Sequence, residues 1–227
     1  MFRSIATPFR IVVSIFMMAA TISGSVALSP QPALAHAGPD RAELDAFVTR
    51  MMEMYGVAGA AVAIIQDGQV SFAKGYGVRD ANTEVPVDGQ TKFAIGSITK
   101  SFVSLAMMQL VEQGLVDLDA PVITYLPEFQ LATEEATQQV TVRHLLSNSS
   151  GLPRADELWY GTGKSRDEVV ADMALVEPTA PPGQVWQYHN QNFVAAGLII
   201  ERITGESWED YTRREIFEPL GMQTAGF

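Results

Sequence analysis

The run Ser101 to Leu115 constrains this chain more than any other stretch. Phe102, Val103, Leu105, Ala106, Met107, Met108, Leu110 and Val111 fall on nearly every side of a helical wheel. A helix apolar all round is a buried one, and Gly114 is its expected stop. Just ahead lies Phe93-Ala94-Ile95-Gly96-Ser97-Ile98-Thr99-Lys100, where a polar loop gives way to the helix. Residues three apart share a helix face, so the Ser97 hydroxyl and the Lys100 amine are expected side by side. A lysine so placed can take the serine proton, the task histidine performs in other hydrolases. The helix start also presents free N–H groups and positive potential, which favour negative charge developing nearby. The pair therefore points to an activated serine in acyl transfer. The plainer alternative is an N-terminal serine beside a solvated lysine.

The same spacing recurs in Ser71-Phe72-Ala73-Lys74. That match lies in a predicted strand, where residues three apart point to opposite faces, so hydroxyl and amine cannot couple. Tyr188-His189-Asn190, behind Pro181-Pro182-Gly183, is the one Tyr-x-Asn in the chain. A tyrosine hydroxyl near a lysine can relay a proton, and an asparagine amide can donate to and accept from a substrate amide. His189 between them reads as an exposed loop histidine. Gly163-Lys164-Ser165 ends like a phosphate-binding loop, but the pattern needs a glycine where Leu158 stands and no β-run precedes it. Nucleotide binding is not expected from this loop.

Pro39-Asp40 opens a helical pattern to about Tyr55, with Leu44, Phe47, Val48, Met51 and Met52 on one face and Gly56 as the stop. Two β-rich runs, Val57–Gln66 and Val70–Tyr76, flank Asp67-Gly68, a strong hairpin signal. A hairpin alone is marginal in water and needs more strands or a helix against it. Val78–Lys92 is a loop and Leu118–Phe129 is irregular. Thr141 is expected to cap a short helix through Leu146, ended by Ser147–Pro153. Further helices are expected near 166–175, over 192–204, and from the Ser207 cap to about Phe217, with Gly205 between the last two. Helices thus concentrate between about 97 and 217, and strands before 77. That segregation predicts an α+β fold, a helical subdomain plus an antiparallel sheet that is left incomplete.

Residues 1–37 read as a secretory signal peptide: Arg3 and Arg10, then a mostly apolar Ile11–Leu28, then small residues at Ala33-Leu34-Ala35 or Ala35-His36-Ala37. The alternative is a membrane anchor, since about 18 apolar residues nearly span a bilayer, but Ser14, Thr21, Ser23, Gly24 and Ser25 dilute the run. The expected product is a periplasmic or secreted domain over 38–227, free of the membrane once cleaved. The net charge is −11, and it becomes more negative without the two leader arginines. A surface so acidic repels phosphate backbones and argues against nucleic acid as a partner. The chain has no cysteine, so no disulfide framework and no cysteine-linked lipid. His144 and His189 form no metal-binding pair, and neither metal nor cofactor is expected. Oligomeric state is left open.

Four more motifs join the serine–lysine stretch in a fixed order. They are His144-Leu145-Leu146, Ser150-Gly151-Leu152-Pro153, Pro182-Gly183 before Tyr188-His189-Asn190, and Glu218-Pro219-Leu220-Gly221-Met222. Together they resemble the beta-lactamase-related serine hydrolases over roughly Leu44 to Phe227. That family groups class C beta-lactamases, D-alanyl-D-alanine carboxypeptidases, and related esterases and D-amino-acid amidases. The resemblance implies a beta-lactamase/transpeptidase-like fold, with Ser97 as acylated nucleophile and Lys100 as its general base. Tyr188 resembles the tyrosine that exchanges protons with nucleophile and leaving group, and Asn190 the substrate-orienting asparagine of the second box. The Ser97 backbone N–H would form half of an oxyanion hole. The implied substrate is a small molecule or peptide with a β-lactam, amide or ester carbonyl.

Two departures stand out. His189 occupies a position where the family often has a smaller residue. Family members also continue to a third box, lysine or histidine then x-Gly, on a sheet strand, and nothing of that kind follows Asn190. The expectation is the N-terminal part of such a domain, with the C-terminal sheet strands missing. One lost oxyanion donor typically costs ~10²–10³ in rate. The alternative reading is therefore a catalytically incomplete chain, or a module that binds cell-wall peptide or a partner without turnover.

Overall fold

The computed structural model describes residues 40–227; the export signal expected over 1–37 lies outside the described residues. Helix α1 (Arg41–Tyr55) starts where the Asp40 side chain accepts from the Ala42 N–H at 2.8 Å, and ends at Gly56 with φ +64°. It lies against an antiparallel hairpin of β1 (Gly59–Gln66) and β2 (Gln69–Gly77), paired from Gly59 opposite Gly77 to Gln66 opposite Gln69. Asp67 and Gly68 both have positive φ, 51° and 73°, as a tight two-residue hairpin turn demands. Among the described residues these two strands are the whole sheet. Asp45 on α1 ties helix to hairpin, accepting from Tyr76 Oη at 2.6 Å and Lys74 Nζ at 2.8 Å. Ser71 instead donates to the Ile64 carbonyl at 3.2 Å. The second serine–lysine match is thus divided between unrelated partners.

The helical body holds the main core. It comprises α2 (Thr99–Glu112), α3 (Glu134–Gln139), α4 (Val142–Leu146), α5 (Arg166–Ala171), α6 (Asn190–Thr204) and α7 (Trp208–Thr212), the last running into a π-helical turn over Arg213–Phe217. Met107 and Leu110 of α2, Leu145 of α4 and Leu198, Ile199 and Ile200 of α6 are buried in one cluster with Leu126, Leu152 and Met173. The predicted caps are used. Thr141 starts α4, Ser207 starts α7, and Gly205 closes α6 with φ +75°. No helix among the described residues is long and apolar enough to cross a membrane.

The structure corrects one expectation and adds one helix. Helix α2 is not buried all round: Ile98 just before it is 64% exposed, and Leu105 and Met108 are each 44% exposed. The helical body covers one side of α2, and the described residues put nothing over the other. The added helix is α3. Its six residues, Glu-Glu-Ala-Thr-Gln-Gln, have no apolar period. The Thr133 cap, accepting from the Ala136 N–H at 3.2 Å, and two acids in the first turn were the available signal.

Candidate active site

Ser97 sits on a 3₁₀ turn, Gly96–Ile98, that leads directly into α2. Gly96 takes φ +52°, a conformation that glycine adopts at little cost, and Ser97 stands exposed at the helix mouth. Three residues on, Lys100 turns its Nζ back to Ser97 Oγ at 3.1 Å. The i+3 geometry expected from the sequence is present even though the serine lies on the tighter turn.

Tyr188 reaches the same hydroxyl from 91 residues away: its Oη and Ser97 Oγ share a short hydrogen bond. Two segments joined by backbone hydrogen bonds bring it there. The turn at Ser147–Pro153 takes three of them, Thr179 N–H to Gly151 O at 2.9 Å, Gly183 N–H to Ser149 O at 2.7 Å and Gln187 N–H to Asn148 O at 2.8 Å. The Asn148 side chain then accepts the His189 N–H at 3.1 Å, at the start of α6. Gly151 is required at this junction. Its φ is +85°, and a Cβ there would lie 2.1 Å from the Ala180 carbonyl oxygen. The Ser-Gly-Leu-Pro motif therefore serves the site indirectly, by seating the segment that carries Tyr188.

Asn190 is the first residue of α6 and accepts from Lys100 Nζ through Oδ1 at 2.7 Å. The Lys100 cation also lies 4.6 Å from the centre of the Tyr188 ring and 5.4 Å from that of Phe193, close enough for attraction to both π faces. All four residues singled out from the sequence, Ser97, Lys100, Tyr188 and Asn190, thus meet in one cluster. The hydrogen bond with Lys100 is the main influence holding the Tyr188 phenol below its ordinary value near 10.0, helped by Ser97 and opposed by burial. A phenol so placed gives up its proton more readily than free tyrosine.

The histidines prove structural. His144 completes a reciprocal cap on α4: Thr141 Oγ1 accepts its N–H at 3.3 Å while its Nδ1 accepts the Thr141 N–H at 3.2 Å. His189 is not the exposed loop residue expected. It is wholly buried, and burial pushes its imidazole down to about 4. A loop position was inferred from neighbouring turn residues, which do not reveal that the start of α6 points inward. Lys164, the centre of the phosphate-loop lookalike, is bound to Asp172, and Ser165 caps α5 with Glu168.

Asp156 joins the site with no motif of its own in the sequence. It follows the Ser-Gly-Leu-Pro turn by three residues, and only that nearness to a motif marked it. In the fold it lies behind Asn190, accepting from Asn190 Nδ2 at 2.8 Å, Trp159 Nε1 at 3.1 Å and Arg154 Nε at 2.5 Å. Beside Lys100 and Asn190 a cleft of about 250 Å³ opens between Trp159, Phe193, Val194 and Trp208.

A family model described as Beta-lactamase matches residues 44–227. The chain belongs to the beta-lactamase family. Among curated relatives of this beta-lactamase-family chain, PbpX of Bacillus subtilis is 32% identical over 79% of the chain and 44% of the relative. Penicillin-binding protein 4 of Amycolatopsis lactamdurans is 36% identical over 73% of the chain and again 44% of the relative. The chain therefore spans less than half the length of these curated relatives. Among solved structures, the octameric penicillin-binding protein homologue of Pyrococcus abyssi superposes with a TM-score of 0.71 at 38% identity, covering 81% of the chain and 43% of that structure. The D-amino acid amidase of Ochrobactrum anthropi gives a TM-score of 0.65 at 32% identity, covering 78% and 48%. The helical body and hairpin thus have the beta-lactamase/transpeptidase-like arrangement.

Proposed function

We propose that this chain carries the acylation machinery of an exported serine hydrolase acting on a β-lactam, amide or ester carbonyl. One observation carries the reading: the Ser97 hydroxyl lies within hydrogen-bond reach of both Lys100 Nζ and Tyr188 Oη. As Ser97 Oγ bonds to the substrate carbonyl carbon, its proton passes to one of these two neighbours. Collapse of the tetrahedral adduct breaks the carbonyl bond to the leaving nitrogen or oxygen, which takes up the proton. Water then attacks the acyl ester by the same path in reverse, returning Ser97 to its starting state. The lowered Tyr188 phenol supports a tyrosine that trades protons with both serine and leaving group. Asn190, held between Lys100 and Asp156, is suited to orient a substrate amide.

The named relatives, penicillin-binding proteins and a D-amino acid amidase, support a small or peptide-like acyl substrate in place of a nucleic acid, in keeping with the acidic charge. Export rests on residues 1–37. Sequencing the N-terminus of the secreted product tests it, with cleavage expected after Ala35 or Ala37. The acylation step is tested with a fluorescent penicillin and a serine-reactive phosphonate, mapping the adduct by mass spectrometry. The adduct is expected on Ser97. Labelling that persists in Ser97→Ala overturns the assignment, and labelling without turnover leaves a binding module in its place.

A further inference from the structure

Asn190 stands between a hydrogen-bond donor on one side and an acceptor on the other. Lys100 Nζ donates to Oδ1 at 2.7 Å. The Asp156 carboxylate only accepts, and it meets Nδ2 at 2.8 Å. One orientation of the side-chain amide satisfies both neighbours. Rotated by half a turn, the amide would lose both of these bonds and set its carbonyl oxygen against the carboxylate. Asp156 is itself anchored: Trp159 Nε1 donates to the oxygen that Asn190 uses, at 3.1 Å, and Arg154 Nε donates to the other at 2.5 Å. Burial pushes the Asp156 carboxyl up, but the hydrogen bonds from Asn190, Arg154 and Trp159 outweigh it and hold the group below the ordinary carboxylate range. It is therefore an acceptor throughout the neutral range.

We infer that Asp156 is a positioning residue of the acylation site, acting through Asn190. By fixing the amide, Asp156 presents Oδ1 to Lys100 and so holds the amine within reach of Ser97. Among the described residues the second Nδ2 proton has no acceptor and stays available to a substrate carbonyl. The chain Arg154–Asp156–Asn190–Lys100–Ser97 thus runs from an exposed arginine to the nucleophile without a break. This inference rests on the acylation role proposed for Ser97 and Lys100.

The test is a double-mutant cycle on acylation and ester turnover. Asp156→Ala is expected to lower kcat by about 10²-fold, the scale of a small misplacement of catalytic groups, with a much smaller rise in KM. Asp156→Asn keeps an acceptor oxygen and is expected to recover all but about tenfold of the rate, since hydrogen bonds to a charged partner are roughly twice as strong as neutral ones. In an Asn190→Ala background, Asp156→Ala is expected to cost less than about twofold, because residues that act through one contact are not additive. Full additivity, or an Asp156→Ala variant as active as the parent, overturns the inference. A second readout needs no activity. In the Ser97→Ala chain, the Asn190 side-chain amide resonances, identified by their loss in Asn190→Ala, are expected to shift and to exchange faster with solvent on Asp156→Ala. Resonances that stay in place sink the inference. A parent chain with no turnover above Ser97→Ala overturns the proposed function instead, and the resonances then decide Asp156 alone.

Discussion

Replacing His189 by glutamine removes an imidazole that the fold keeps wholly buried, with neither ring nitrogen hydrogen-bonded among the described residues. Burial pushes its pKa down from 6.5 to about 4, with the charge of Asp156 pulling weakly the other way. The histidine is therefore neutral in the folded chain across a range where the unfolded chain would protonate it. Between those two values the unfolded state binds the extra proton, so stability rises with pH there. The contribution is complete above pH 6.5 and is lost as pH falls toward 4. At 1.36 kcal/mol per unit the whole shift corresponds to about 3 kcal/mol, of which about 2 kcal/mol falls between pH 7 and pH 5. His144 is lowered by burial as well and adds a contribution of the same sign, which is why the comparison is made against a variant with His144 intact. The lowered carboxylates, Asp156 among them, act mainly below this window. Urea denaturation of parent and His189→Gln at pH 7 and pH 5 reads the difference. The parent is expected to lose about 2 kcal/mol more than the variant over that step. Equal losses in the two chains would refute the reasoning, because they would mean that this imidazole does not titrate with unfolding. Tyr188 and Asn190 flank His189, so loss of Ser97 acylation on acidification is expected to accompany the loss of stability.

Tyr188→Phe keeps the ring beside Lys100 and removes only the hydroxyl bonded to Ser97; acylation by a fluorescent penicillin is expected to slow by about 10²–10⁴-fold with little change in Tm. Gly151→Ala adds a Cβ that would sit 2.1 Å from the Ala180 oxygen at φ +85°, whereas Gly161→Ala, at φ +71°, meets nothing within 4 Å. Both carry the left-handed strain of about 1–2 kcal/mol, so thermal melts are expected to show Gly151→Ala as clearly the worse, with Ser97 labelling lost too. Thr141→Ala removes the cap on the His144 N–H and is expected to cost about 1 kcal/mol in urea denaturation, leaving the rate of acylation near the parent's.

The sequence carried a large part of this protein in local chemistry. The hairpin followed from Asp67-Gly68 between two β-rich runs, helix starts from Asp40, Thr141 and Ser207, and helix ends from Gly56 and Gly205. Ser97 and Lys100 could be paired because a separation of three at a helix mouth has one geometric outcome. Ser71 and Lys74 could be rejected because the same separation on a strand has the opposite one. Each of these depends on neighbours within a few residues, where φ, ψ and hydrogen-bond partners are close to determined. Asp156, buried His189 and the uncovered side of α2 were not readable this way. Asp156 matters only because the Ser147–Pro153 turn pairs with 179–189 and brings it behind Asn190. His189 is inward because α6 begins where Asn148 holds its backbone, a contact across 41 residues. The apolar pattern of α2 tells that its surface favours cover, and only the packed helices show which side receives it. Local bonding paired Ser97 with Lys100. Tertiary packing decided which tyrosine, which asparagine and which carboxylate would meet them, because those distances depend on how segments far apart in the chain come to share one core.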